Sequence, residues 1–164
     1  MSLTIAHSQG ELRALSAPEH EDRIIQHAIA LLERRIFQAG PTLSRPSAVG
    51  DFLRLKLAGE PNEVFAAIFL NSAHEVLAYE PLFHGSITEA AIYPRVVVQH
   101  AMMHNAAALI MAHQHPSGNT EPSAADRAIT QQLKVALAII DVRVLDHLII
   151  GKGMPYSFDE AGLL

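Results

Sequence analysis

Residues that could carry chemistry are concentrated in one stretch of the chain. His113 and His115 flank Gln114, seven residues separate the second histidine from Ser123, and two more precede Asp126. Side chains two residues apart in an extended strand point the same way, so the histidines could face one ion. A carboxylate returned by the following helix would add a third ligand. Three protein ligands leave one position open for water, which is the arrangement of a catalytic zinc site.

The same residues also have a structural interpretation. Serine followed three residues later by an acidic residue is typical of a helix N-terminus, where both side chains bind free backbone N–H groups. An isolated His-x-His pair is common on protein surfaces. Here the pair and the Ser123 to Asp126 spacing occur together with the turn residues Pro116, Ser117 and Gly118. This combination favours a metal site.

Apolar periodicity and turn residues predict the elements that position this stretch. A buried strand over 106–112 leads directly into the loop that carries the histidines. A helix over 123–140 and a strand over 142–150 follow. The other predicted elements are two N-terminal helices (18–39 and 47–57) joined by a loop (41–46), a hairpin (63–70 and 75–83) and a helix (94 to about 105). Helices alternating with strands, together with a hairpin, predict an α/β fold around a mixed sheet.

The composition of the 164-residue chain excludes several classes of protein. Cysteine is absent, which excludes disulfides, thiolate zinc sites and iron–sulfur clusters. A hydrophobic fraction of 49% with 18% charged residues indicates a folded core. The net charge of −5 weakens a nucleic-acid function but leaves a local basic patch open. The longest apolar run is too short to cross a bilayer and no signal peptide is visible, so we expect a cytoplasmic protein without a membrane segment.

The stretch AALIMAHQHPSGNTEPSAADRAIT resembles the RadC-like branch of the JAB1/MPN (JAMM) metalloprotease superfamily. The zinc motif of that family is His-x-His, seven residues, Ser, two residues, Asp, and this sequence has the same spacing. NEVFAAIFLNSAHEVL upstream and VRVLDHLIIG downstream extend the resemblance over most of residues 60–160. It implies a three-layer α/β/α MPN fold with a mixed sheet, in which residues 61–164 form the catalytic domain and residues 1–60 a helical N-terminal extension.

The resemblance also implies roles for individual residues. The zinc ligands fall on His113, His115 and Asp126, and the serine that stabilises the tetrahedral intermediate falls on Ser123. The superfamily's upstream glutamate, which holds the attacking water and shuttles its proton, falls on Glu63. Spacing alone leaves other carboxylates open for that role, namely Glu75, Glu80, Glu89 and Glu121. The expected activity is zinc-dependent hydrolysis of an amide or isopeptide bond; neither the peptide substrate nor the oligomeric state can be predicted from the sequence.

Two departures from the family pattern bear on function. RadC-like sequences usually have Asn where this chain has Gln114, whose side chain we expect to point away from the ligands. Full-length RadC proteins carry a helix-hairpin-helix segment, and the first 60 residues here lack its glycine-containing hairpins. We therefore expect no strong sequence-specific DNA binding. The rival functions are a DNA-repair or nucleic-acid-processing accessory role and a non-catalytic scaffold, although scaffolds of this type commonly lose the ligands that are intact here.

Three further features are interpreted as structural. His100 and His104 have a spacing that can bind zinc on one helix face, but no glutamate lies between them, which favours ordinary helix-face histidines. His147 is interpreted as a hydrogen-bonded structural residue, because three ligands are already assigned. The segment over 151–153 is interpreted as a turn, since no helix follows it to bind phosphate.

Overall fold

The computed structural model describes residues 18–37, 46–57, 59–85 and 92–164. The predictions for residues 38–45 and for Glu89 lie outside these ranges. The helices within them are α1 (Pro18–Phe37), α2 (Pro46–Leu57), α3 (Pro94–Met103) and α4 (Ala124–Ala138). The strands are β1 (Val64–Leu70), β2 (Val76–His84), β3 (Ala108–Gln114), β4 (Arg143–Ile150) and β5 (Tyr156–Ser157).

The strands form one mixed sheet in the order β2-β1-β3-β4-β5. Strand β1 pairs antiparallel with β2 and β3, β4 runs parallel to β3, and β5 is antiparallel to β4. The predicted hairpin of β1 and β2 is confirmed. Its turn is closed by Asn71, whose side-chain oxygen accepts hydrogen bonds from the backbone N–H groups of Ala73 and Glu75 at 2.9 Å each. Helix α4 supplies the crossover that the parallel pair β3 and β4 requires.

Strands β1 and β3 are buried along their whole length and send alternate side chains to opposite faces of the sheet. On one face, Ile68 and Ile110 pack against Phe52 and Leu53 of α2. On the other face, the core combines strand residues with side chains of α3 and α4 (Phe65, Phe69, Leu109, Met111, Val97, Ala101, Leu133 and Leu137). The predicted three-layer α/β/α architecture is therefore confirmed.

The N-terminal helices cover one face of the sheet. Helix α1 packs against α2, and an ion pair of 2.8 Å joins Glu33 of α1 to Lys56 of α2. Helix α2 contributes directly to the core beneath it. No helix within the described residues is long and apolar enough to span a membrane.

The end of β3 differs from the prediction in a way that matters for the site. The strand continues to Gln114 instead of ending at residue 112. His113 and Gln114 are therefore strand residues, and their side chains point to opposite faces of the sheet. The two-residue strand β5 was not predicted, because so short a segment carries no measurable periodicity.

Candidate metal centre

Strand β3 and helix α4 bring the predicted ligands to one end of the sheet. His113 pairs with Phe65 of β1 and is fully buried. His115 follows the strand, and its backbone N–H donates to the Ile150 carbonyl at 3.0 Å. Asp126 lies in the first turn of α4, and its side chain is only 1% exposed.

A sharp turn between the strand and the helix makes this arrangement possible. Gly118 has a φ of +83°, which favours glycine, and its N–H donates to the His115 carbonyl at 2.8 Å. Its carbonyl accepts from the Lys152 N–H at 2.9 Å. A Cβ atom at Gly118 would lie 2.7 Å from Lys152 Cγ. The glycine therefore permits both the turn and the close approach of the segment after β4.

The three predicted ligands meet around one point. The Nε2 atoms of His113 and His115 are 3.0 Å apart. Asp126 Oδ1 lies 3.2 Å from His113 Nε2, and Asp126 Oδ2 lies 3.7 Å from His115 Nε2. The structure thus brings together the side chains that the His-x-His and Asp spacing selects.

A chain of buried hydrogen bonds fixes the tautomer of His113. The Thr130 hydroxyl donates to the Asp126 carbonyl at 2.5 Å, so it must accept from His147 Nδ1, which is 2.6 Å away. The pKa of His147 is well below its usual value because of burial and the neighbouring His113, so this ring is neutral and its Nε2 is an acceptor. His113 Nδ1 therefore donates to His147 Nε2 at 2.8 Å. In the neutral form of His113, Nε2 then carries the lone pair.

The hydrogen bonds of His115 indicate the same tautomer as in His113. Its Nδ1 lies 2.8 Å from the Asn119 carbonyl oxygen, which can only accept a hydrogen bond. In the neutral form of this ring the proton is thus on Nδ1, and Nε2 carries the lone pair. The Nε2 lone pairs of both histidines point into the same space.

When both rings are neutral, three acceptor atoms consequently face one another with no donor among them. Asp126 Oδ1 is the one buried side-chain oxygen or nitrogen in the described part of the chain that lacks a hydrogen-bond partner. Such a group of lone pairs is costly to bury unless a cation lies among them. Two imidazole nitrogens and a carboxylate oxygen are ligands that suit zinc and related divalent metals. The residues therefore fit a divalent transition-metal ion.

Ser123 holds the Asp126 carboxylate in place. Asp126 Oδ2 accepts from the Ser123 hydroxyl at 2.6 Å and from the Ser123 backbone N–H at 2.7 Å. In return the Asp126 N–H donates to Ser123 Oγ at 3.1 Å, which completes a capping box at the start of α4. Burial acts to raise the pKa of Asp126, but the adjacent His113 and the hydrogen bonds from Ser123 outweigh it and hold this pKa well below its ordinary value. The carboxylate is ionised, as a metal ligand must be.

Glu63 stands beside this centre, immediately before β1. Its Oε1 lies 3.8 Å from His115 Nε2, and a carboxylate oxygen is within 4.8 Å of the ligand atoms of both histidines. The other described candidates for the glutamate role are placed differently. Glu75 accepts a hydrogen bond from Asn71, Glu80 contacts His100 and His104 at the end of α3, and Glu121 is exposed in the loop between β3 and α4.

Gln114 points away from the ligands, as expected, and contacts the segment that carries Glu63. Its Oε1 accepts from the buried Val64 N–H at 2.7 Å, and its Nε2 donates to the Asn62 carbonyl at 2.5 Å. The residue between the two histidines thus joins the metal-ligand strand to the start of β1. The sequence does not predict this role of Gln114. It also does not predict that Thr130 accepts a hydrogen bond from His147; the only signal in the sequence is that Thr130 lies one helical turn after Asp126.

The fold and the site together define a JAB-type domain, in which a central strand of a mixed sheet ends in His-x-His and the next helix begins with Ser and Asp. The chain belongs to the RadC-like JAB domain family, whose model matches residues 43–163.

Curated relatives of this chain are named UPF0758 proteins. The protein of Methylibium petroleiphilum is 51% identical over 141 residues, which cover 86% of this chain and 63% of the relative. The protein of Stutzerimonas stutzeri is 57% identical over 120 residues, or 73% of this chain and 54% of the relative. That of Thiobacillus denitrificans is 47% identical over 155 residues, or 93% and 69%. The chain thus spans about half to two thirds of the length of these relatives.

Proposed function

We propose that this chain is a zinc-dependent hydrolase that cleaves an amide or isopeptide bond with a water molecule. The observation that carries the proposal is the meeting of three acceptor atoms, His113 Nε2, His115 Nε2 and Asp126 Oδ1, at one end of the sheet. Zinc bound to such a set polarises a carbonyl group and makes water a stronger nucleophile near neutral pH.

Glu63 is the proposed proton carrier. Its side chain is 13% exposed beside His115, so it can reach both the centre and an approaching substrate. The carboxylate accepts a proton from the attacking water as the new carbon–oxygen bond forms. It then gives that proton to the leaving nitrogen as the carbon–nitrogen bond breaks, which yields an acid and an amine.

Ser123 is the proposed donor to the oxyanion that forms on the substrate carbonyl. Its hydroxyl proton is directed to Asp126 Oδ2 in the resting arrangement, so donation to substrate requires rotation of the hydroxyl about the Cβ–Oγ bond. The Ser123 backbone N–H continues to hold the carboxylate during that rotation. One residue can therefore position the ligand and stabilise the intermediate.

The test is hydrolysis of quenched fluorogenic peptide and isopeptide libraries by the zinc-loaded chain. Glu63→Gln keeps the size of the side chain but removes the proton carrier, so turnover should fall by about 10² to 10⁴-fold while bound zinc is unchanged. Glu121→Gln is the matched control, because Glu121 is an exposed glutamate of the loop between β3 and α4, and it should retain wild-type turnover. Full activity in Glu63→Gln, or its loss in Glu121→Gln, would contradict the assignment.

The rival function is that of a nucleic-acid-processing accessory protein. Backbone binding to DNA is driven by clustered Lys and Arg, and the chain carries 12 such residues against 17 acidic ones. We propose that the chain alone has no strong sequence-specific affinity for DNA. Sequence-selective nanomolar binding at physiological salt in a fluorescence anisotropy titration would favour the rival.

A further inference from the structure

A second group of metal-binding side chains lies where helix α3 meets the edge strand β2. Glu80 Oε1 of β2 is 2.9 Å from His104 Nε2, and Glu80 Oε2 contacts His100 Nδ1. One ligand atom from each of the three residues lies within 4.8 Å of the others. In the described part of the chain, this group and the group of Glu63, His113 and His115 are the two in which three such ligand atoms lie within that distance.

The fold explains why these side chains meet. Residues four apart on a helix share one face, so His100 and His104 project together from the end of α3. Glu80 pairs with Ala67 of β1, whose side chain belongs to the core beneath α3. The sequence interpretation considered only carboxylates between the histidines, whereas this one comes from a strand 20 residues upstream of His100.

We propose that Glu80, His100 and His104 bind a second divalent transition-metal ion, of which Zn²⁺ is the reference case. Two imidazoles and a carboxylate form a complete set of three protein ligands for such an ion. The side chains are 24–29% exposed, so an ion can enter and water can complete its coordination. The ion would join the edge strand to α3.

This site is separate from the first one. His113 pairs with Phe65 near the start of β1, whereas the His104 ring lies against Phe69, with ring centroids 5.0 Å apart. Four residues of strand span about 13 Å. No residue is shared, so each site can be removed by mutation without touching a ligand of the other.

The alternative is a hydrogen-bonded trio that binds no metal. A carboxylate only accepts hydrogen bonds, so in the metal-free chain the ring nitrogens that face Glu80 carry protons. Partial burial acts to raise the pKa of Glu80, but the hydrogen bonds with His104 and His100 outweigh it and lower this pKa. Glu80 is therefore ionised at neutral pH, and a metal ion would replace the two protons.

Zinc counting distinguishes the two possibilities. The 164-residue chain is stripped with a chelator and titrated with zinc alone, and bound zinc is measured by equilibrium dialysis and atomic emission. The His100→Ala/His104→Ala double variant should bind one zinc fewer than wild type, whereas His27→Ala, which removes an exposed histidine of α1, should bind as many as wild type. An unchanged zinc count in the double variant would overturn the proposal. The difference in zinc count between wild type and the double variant does not depend on whether the first site binds zinc. Failure of the proposed hydrolase site would be seen separately, as an unchanged zinc count in His115→Ala.

Thermal unfolding provides a second test that does not truncate the histidines. In a His115→Ala background, zinc should raise Tm, because an ion that binds only the folded chain stabilises it. Adding Glu80→Gln keeps the shape of the side chain but removes its charge, and should abolish most of that rise. A zinc-dependent rise of equal size in the Glu80→Gln background would overturn the proposal.

Discussion

Gln114 offers a test of how the metal-ligand strand and the segment that carries Glu63 are joined. Its side chain accepts from the Val64 N–H at 2.7 Å and donates to the Asn62 carbonyl at 2.5 Å, while it points to the face of the sheet opposite His113. We predict that Gln114→Ala lowers the free energy of unfolding but leaves zinc bound. Gln114→Asn should show the same effect in weaker form, since its amide is one methylene shorter.

The magnitude follows from the surroundings of the two partners. Val64 is 1% exposed, so its N–H cannot find water once the amide is removed, and an unsatisfied buried donor costs about 1–3 kcal/mol. Asn62 is exposed, so its carbonyl can be hydrated and its loss of a partner costs little. The expected destabilisation by Gln114→Ala is therefore about 1–3 kcal/mol.

Urea unfolding of the metal-free chain measures the loss in free energy of unfolding, and zinc analysis of the zinc-loaded chain measures how much zinc stays bound. Gln131→Ala is the matched control, because the Gln131 amide makes an exposed hydrogen bond of 3.2 Å to the Leu163 carbonyl. It should change stability by less than about 0.5 kcal/mol. Equal stabilities of Gln114→Ala and wild type, or loss of zinc from Gln114→Ala, would refute the reasoning.

Two further predictions concern the buried ring of His147 and the partly buried ring of Tyr79. His147→Leu removes the acceptor for His113 Nδ1–H, so zinc affinity at the first site should fall about 10- to 100-fold in a competition titration; an unchanged affinity would contradict the tautomer assignment. Burial, assisted by the charge of Glu60, raises the pKa of Tyr79 to about 12. The unfolded chain then loses this proton first, so the unfolding free energy should fall by up to about 3 kcal/mol between pH 10 and 12. In Tyr79→Phe, the unfolding free energy should fall less over this pH range. An equal dependence on pH in Tyr79→Phe and wild type would contradict the prediction.

Local periodicity was sufficient to predict an α/β fold with a mixed sheet, but not the end of the central strand. The apolar run stops at Ala112, which is why the strand was predicted to end there. In the structure, His113 and Gln114 continue the strand because their polar atoms are satisfied by distant partners, His147 and the Val64 N–H. Periodicity does not record such partners.

The candidate ligands could be selected from the sequence because their spacing reflects local geometry. His113 near the end of β3 and His115 just after it lie on one side, and a capping box fixes Asp126 at the start of the next helix. The supporting contacts come from elements far apart in sequence. His147 reaches His113 across the parallel pair of β3 and β4, and Glu80 reaches α3 from the edge strand. Such pairings depend on strand order, which the sequence alone did not give.

The most direct test of the central claim is anomalous X-ray diffraction at the zinc edge from crystals of the zinc-loaded chain. The expected result is an anomalous peak at bonding distance from His113 Nε2, His115 Nε2 and Asp126 Oδ1, with Glu63 outside bonding distance. The absence of a peak among these atoms, or a peak bound by Glu63 in place of Asp126, would contradict the account.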